Sequence, residues 1–200
     1  MSQLTVPTRD RLLDEAERLF ARGGVQGVTT REITEAAEQR NTSAVTYHFG
    51  TREGLLLEIL ARRGGGVDEG RGERRDALGA TPSTRDLVAC LVEPYAALLD
   101  DASGRSYLRI VAQLRGRFAA WRVESDVATT KHLSRILGEI EDATPGAIAV
   151  RRERVLALIM LLTGAVAERA RRIDDEVGND LGHDEFVANL VAMCAAVLEG

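Results

Sequence analysis

The chain has 200 residues, 44% of them apolar and 28% charged, a balance that excludes wholesale disorder and bounds the protein to one larger domain or two small ones. Aromatic residues make up only 4%, so a core must come from Leu, Val, Ile and Ala, which favours helix over strand. The net charge of −5 argues for no anionic partner in bulk, so any nucleic-acid contact must rest on local placement. Residues 1–63 alone hold nine arginines against nine acidic residues, and the negative excess lies beyond them.

The first predicted helix starts near Thr8 and places Leu12, Ala16, Leu19 and Phe20 on one face, with Gly23 and Gly24 as its stop. A second begins at Thr29, where Thr29 and Glu32 form a capping box and Ile33, Ala36 and Ala37 form the inner face. Glu38-Gln39-Arg40-Asn41 has no apolar member and reads as a turn. A short third helix is expected from Thr42 to Phe49, with Val45 and Phe49 turned inward and Gly50 as its end. Thr51 caps a fourth helix carrying Leu55, Leu56, Ile59 and Leu60.

Residues 62–82 are rich in glycine and charge. The run Gly64-Gly65-Gly66 disfavours helix by roughly 1 kcal/mol per residue, so this stretch reads as a frayed linker helix or a hinge. It divides a domain of residues 1–61 from one of residues 83–200. Beyond it a helix runs from Ser83 or Thr84 to Leu99, a loop covers Asp100 to Gly104, and further helices surround Tyr107–Leu114 and Val127–Ile140. Thr144-Pro145 marks the start of a long helix to about Ile173, and the last runs near Asp184–Leu198. The expected fold is all-α, with about nine helices and no sheet.

Two short capped helices joined by a polar turn form a helix-turn-helix. The second helix of the pair starts with small polar residues, and its leading end can meet base edges in a major groove. Asn41, Thr42, Ser43, Ala44 and Thr46 have the size for such contacts, and Ala44 can touch a thymine methyl. Tyr47 and His48 can reach flanking phosphates, Arg52 offers an anion site at the start of the fourth helix, and Arg31 can reach a guanine edge or a phosphate.

The stretch GVQGVTTREITEAAEQRNTSAVTYHFGTREGLLLEIL resembles the N-terminal domain of TetR-family transcriptional regulators. The resemblance rests on the capped TTREI start, the alanine-rich second helix, the YHFG element and the start of helix four, and covers residues 8–61. The turn departs from the commoner Gly-Val-Ser form, being one residue longer and without glycine, and is similar to a QRN-bearing subset. Either Asn41 or Thr42 is then the cap. The resemblance implies a homodimer, a palindromic operator read by third helices about 34–36 Å apart, and an unknown small-molecule effector whose binding opposes that of the operator. A repressor is implied. The alternative is a helical small-molecule- or protein-binding module with no specific DNA target.

The helix Val155–Ala167 is apolar nearly all round, so it is expected to pack on more than one side. Leu158, Leu162 and Val166, with Phe186, Leu190 and Cys194 of the last helix, are the expected dimer contacts. Candidate ligand contacts are Tyr95, Tyr107, Arg109, Gln113, Trp121 and Met160, large or polar residues within apolar helices. No His, Cys or carboxylate set has metal-ligand spacing and no nucleophile–base pair is visible, so no metal, no cofactor and no enzyme activity are expected. Cys90 and Cys194 read as free buried thiols. The N-terminus lacks an apolar leader segment and no run is long enough to span a bilayer, which together point to a cytoplasmic protein.

Overall fold

The computed structural model describes residues 7–41, 43–114 and 130–199. Among them are nine α-helices and no strand: α1 (Thr8–Gly23), α2 (Thr30–Ala36), α3 (Ala44–Phe49), α4 (Arg52–Ala77), α5 (Thr84–Ala96), α6 (Ala102–Leu114), α7 (Lys131–Ala143), α8 (Ile148–Asp174) and α9 (His183–Glu199). A single 3-10 turn, Ala97–Asp100, continues α5 where Pro94 has removed a helical N–H. The fold is therefore all-α, as expected.

Local chemistry explains most boundaries. Pro7, rather than Thr8, takes the cap position of α1, and Gly24 ends it at φ +89°. The capping box at Thr29 is present in full: its hydroxyl accepts from Glu32 N while the Glu32 carboxylate accepts from Thr29 N at 2.7 Å. Ser83 and Asp86 make a second box at the start of α5. Thr144 closes α7 instead of opening α8. Its buried hydroxyl donates to Ile140 O, and Gly146 at φ +110° turns the chain so that α8 starts only at Ile148.

The largest departure from expectation is α4. It runs without a break through Gly64-Gly65-Gly66 and the charged stretch beyond, as far as Ala77. Burial overrides the low helix propensity of glycine there, because Gly64, Val67, Asp68, Arg71 and Gly72 face inward against α5 and α7. Gly72 lies beneath the His132 ring, where a Cβ would come within 2.6 Å of the imidazole. The glycine is thus a close-approach residue between α4 and α7.

The first core gathers Leu12, Ala16 and Phe20 of α1, Ile33 of α2, Val45 of α3 and Leu55 and Ile59 of α4. The second gathers α5, α6, α7, α8 and α9 around Leu91, Leu108, Ile136, Leu158 and Leu190. The two are continuous through α4 and through the packing of α6 on α1.

Glu17 of α1 is buried and pairs with Arg63 of α4 at 3.4 Å, with Arg62 and Asp14 also close enough to act on its charge. Burial raises its carboxyl pKa above the ordinary value, and the Arg63 charge offsets this only in part. The folded state then holds the proton more tightly than the unfolded chain. Ionised Glu17 costs stability at neutral pH, and that cost fades as pH falls through the raised pKa. Glu17→Gln is expected to be neutral or stabilising within about 1 kcal/mol at pH 7, with any gain shrinking toward pH 4. Thermal unfolding at the two pH values measures this; a loss beyond that size at pH 7 would show the ion pair to be net stabilising.

Candidate nucleic-acid interface

The α2–α3 pair is built from the turn outward. Glu38 takes φ +55°, the left-handed conformation that glycine commonly supplies at a helix end, and Gln39 N then donates to Thr34 O at 2.8 Å. The turn therefore closes without a glycine. Thr34 is itself buried and its hydroxyl donates back to the Thr30 and Arg31 carbonyls. The Asn41 carboxamide accepts from Ser43 N at 2.9 Å and shapes the entry to α3, but the cap position is Ser43 rather than Asn41 or Thr42, the latter lying outside the described residues.

Helix α3 begins at Ala44, two residues later than expected. Val45 is buried, and so is Ala44, at 7% exposure. Ala44 therefore faces its own core and is withdrawn from the expected thymine contact; its small side chain lets α3 seat closely on the helices beneath. Ser43, Thr46 and Tyr47 point outward, a set at i, i+3 and i+4 that forms one face of the helix. Tyr47 is 83% exposed. A large aromatic left in solvent on a short helix marks a contact surface more than a packing one. His48 is half-buried, its ring edge-on to Tyr47 with centroids 4.9 Å apart.

The expected basic residues divide. Arg31 is exposed and pairs with Glu35 across one turn at 2.7 Å, a contact it can exchange for a phosphate. Arg52 is engaged internally: its guanidinium donates to Val25 O and Val28 O and lies 4.9 Å over the Phe20 ring. The anion role expected for Arg52 is thus displaced by a clamp on the α1–α2 connection. Arg40, in the turn itself, is exposed and has no ion-pair partner among the described residues. It is the single cation of the turn, a signal legible in sequence, and is a further candidate for phosphate contact.

The expected ligand residues are also split. Tyr95 and Tyr107 are buried and line a cavity with Arg71, which the sequence did not single out. Arg109 instead bonds Asp174 of α8, alongside Arg105. Gln113 reaches out of the second core altogether: its Oε1 accepts from Val25 N at 2.7 Å and its Nε2 donates to Phe20 O at 3.1 Å. Met160 is partly exposed on α8, away from that cavity, and Trp121 lies outside the described residues. Among the expected dimer contacts, Leu158, Leu162, Val166, Leu190 and Cys194 are buried within the single chain and form its own core. Phe186 is half-buried under the Arg169 guanidinium. The apolar side chains left outward on α8 and α9 include Leu156, Met160 and Met193. Cys90 and Cys194 are free and buried, and burial pushes the Cys194 thiol up to about 11. No grouping of three metal-ligating side chains occurs among the described residues, and no helix there is long and apolar enough to cross a membrane.

A buried-backed short helix with a polar outer face, set by a capped partner helix and a tight turn, defines a helix-turn-helix protein. The family model described as "Bacterial regulatory proteins, tetR family" matches residues 12–59, which span α1, α2 and α3 and the start of α4. The match covers about a quarter of the chain, and over it this N-terminal segment is similar to that family's DNA-binding domain. The HTH-type transcriptional regulator QacR of Staphylococcus aureus is 40% identical over 52 residues, a match spanning 26% of this chain and 27% of that protein. Two solved structures share the fold over nearly the full length. One is a TetR-family regulator from Streptomyces coelicolor A3, at a TM-score of 0.54 and 21% identity, covering 98% of this chain and 99% of that one. The other is a TetR-like transcriptional regulator from Rhodococcus sp. RHA1, at 0.59 and 14%, covering 94% and 96%.

Proposed function

We propose that the protein is a ligand-responsive transcriptional repressor that reads a palindromic DNA operator as a homodimer. The observation that carries this reading is the outward face of α3, Ser43, Thr46 and Tyr47, backed by the buried Ala44 and Val45. On it, Ser43 and Thr46 meet base edges, and Tyr47, His48, Arg31 and Arg40 meet phosphates. Residues 1–61 form the reading head and residues 83–200 the body, joined through 62–82, most of which continues α4. The body pairs with a second copy through the outward apolar side chains of α8 and α9 and sets the two reading helices about 34–36 Å apart. Effector and operator favour different separations, so each weakens the other's binding by the same factor. The protein works by binding rather than catalysis, on cytoplasmic DNA.

A gel shift with the DNA upstream of its own gene tests the reading. Specific retardation that weakens with salt is the expected result. Thr46→Ala should change preference among operator variants by ~1–3 kcal/mol at one base pair, whereas Arg40→Ala should weaken binding evenly across them. Binding that is equal on all sequences, or absent, overturns the proposal and leaves a helical binding module.

A further inference from the structure

From the buried guanidinium of Arg71, we infer that the effector of this regulator is a small organic anion with a short apolar body, held head-first on Arg71 between α4, α5 and α7. The inference rests on the regulatory reading above and names the chemistry of its ligand.

Arg71 belongs to α4, and its side chain is 90% buried. Its Nε has no hydrogen-bond partner among the described residues. The one carboxylate nearby is Asp68, and the approach is long, 4.0 Å from Nη1 to Oδ1. Asp68 is already occupied. Its two oxygens accept the backbone N–H groups of His132 and Leu133 at 2.8 Å each, holding the first turn of α7 against α4. The guanidinium thus sits in a low-dielectric site with its donors underused and its countercharge shared with a helix end. That arrangement is costly for a free protein and favourable for one that binds an anion.

The surroundings select the rest of the ligand. Arg71 opens on a cavity of about 50 Å³ with Tyr95, Tyr107, Leu133, Leu158 and Leu162 among its walls. The Tyr95 hydroxyl is buried and also lacks a partner, so it is a second unused donor. The Tyr95 ring lies 5.9 Å from the guanidinium carbon. Burial disfavours deprotonation of both tyrosines, pushing Tyr107 up to about 12, so both hydroxyls keep their protons. An anion between them accepts bonds from Arg71 in fork geometry and from Tyr95. The free space accommodates a headgroup and little more. An apolar tail must part Leu133 and Leu137 of α7 from Leu158 and Leu162 of α8. Binding therefore moves α7 or α8, and α7 is tied through Asp68 to α4, the helix that begins in the reading head.

The test uses calorimetric titration of the full chain with butanoate, hexanoate and octanoate, each against the alcohol and amine of equal length. At least one acid should bind ten-fold or more tightly than its alcohol and amine. Arg71→Met removes an under-partnered buried charge, so it should fold as well as the parent and lose the acid preference ten-fold or more. Tyr95→Phe should weaken acid binding about three-fold. No acid binding, an alcohol binding as tightly as its acid, or parental acid affinity in Arg71→Met each overturns the inference. If Arg71→Met fails to fold, the headgroup series on the parent and on Tyr95→Phe decides between binding on Arg71 and its absence. The titration needs no DNA. Acid binding without operator binding therefore keeps the pocket and removes the regulator, and the converse result does the reverse.

Discussion

Arg52→Ala is expected to lower the unfolding free energy by about 3 kcal/mol while leaving the salt dependence of operator binding unchanged. The guanidinium bonds the carbonyls of Val25 and Val28 in the α1–α2 connection and covers the face of Phe20 in α1. Bonds from a charged donor are worth about 1.5–3 kcal/mol each, and a cation over an aromatic face about 0.5–1. Partial recovery of water by the freed carbonyls brings the sum down to about 3. Lysine is a point charge and cannot serve two carbonyls in one plane, so Arg52→Lys should restore no more than half. Urea denaturation and binding measured over a salt series separate two roles. A phosphate contact would cut the slope of log affinity against log salt by about 0.9 and leave stability alone. That pattern would return Arg52 to the DNA.

Gln113→Ala is expected to cost about 2 kcal/mol and to divide one melting transition into two, with the reading head unfolding first. Gln113 is a residue of α6, yet both ends of its amide bond the backbone where α1 ends, at Phe20 and Val25. Removal leaves Val25 N without its partner. Scanning calorimetry with a second probe placed in the head measures the separation. Gln113→Glu keeps an acceptor for Val25 N but sets a carboxylate oxygen against Phe20 O, so it should fall between Ala and the parent. A single coincident transition in Gln113→Ala would show that α4 and the packing of α6 on α1 hold the two cores together without this bond. If the proposed opposition of effector and operator passes through this bond, Gln113→Ala should also shrink it.

Much of the fold was legible from local chemistry. The Thr29–Glu32 box, the inward pair Val45 and Phe49, and the final helix of Leu190 and Cys194 needed only spacing and capping rules. What escaped was set by partners distant in sequence. Glycine propensity argued for a hinge at Gly64–Gly66, but the inward face of α4 supplied burial that no window of α4 reveals. Arg52 read as a free cation because the carbonyls that claim it lie 24 and 27 residues earlier. Gln113 read as a pocket residue because its partners lie 88 and 93 residues away, in the other core. Leu158 and Leu162 read as a face for a second copy because an apolar helix looks alike from sequence whether its neighbour is its own chain or another. Arg71 is indistinct among the arginines of α4 in sequence, since only burial sets it apart.

The glycines of α4 are unequal in what surrounds them. Gly72 is wedged under an imidazole and Gly70 sits against Pro94, whereas an added methyl on Gly65 or Gly66 would meet nothing within 4 Å. Crowding does not account for those two, and each forgoes about 1 kcal/mol of helix preference relative to alanine. The long rod between the reading end and the Arg71 end therefore has a weak point roughly midway, beside the buried Gly64. A sideways push on one end is relieved first at that point, by a slight unwinding of one turn, before either packed core has to yield. The rod behaves as a jointed strut whose give is set by three missing side chains.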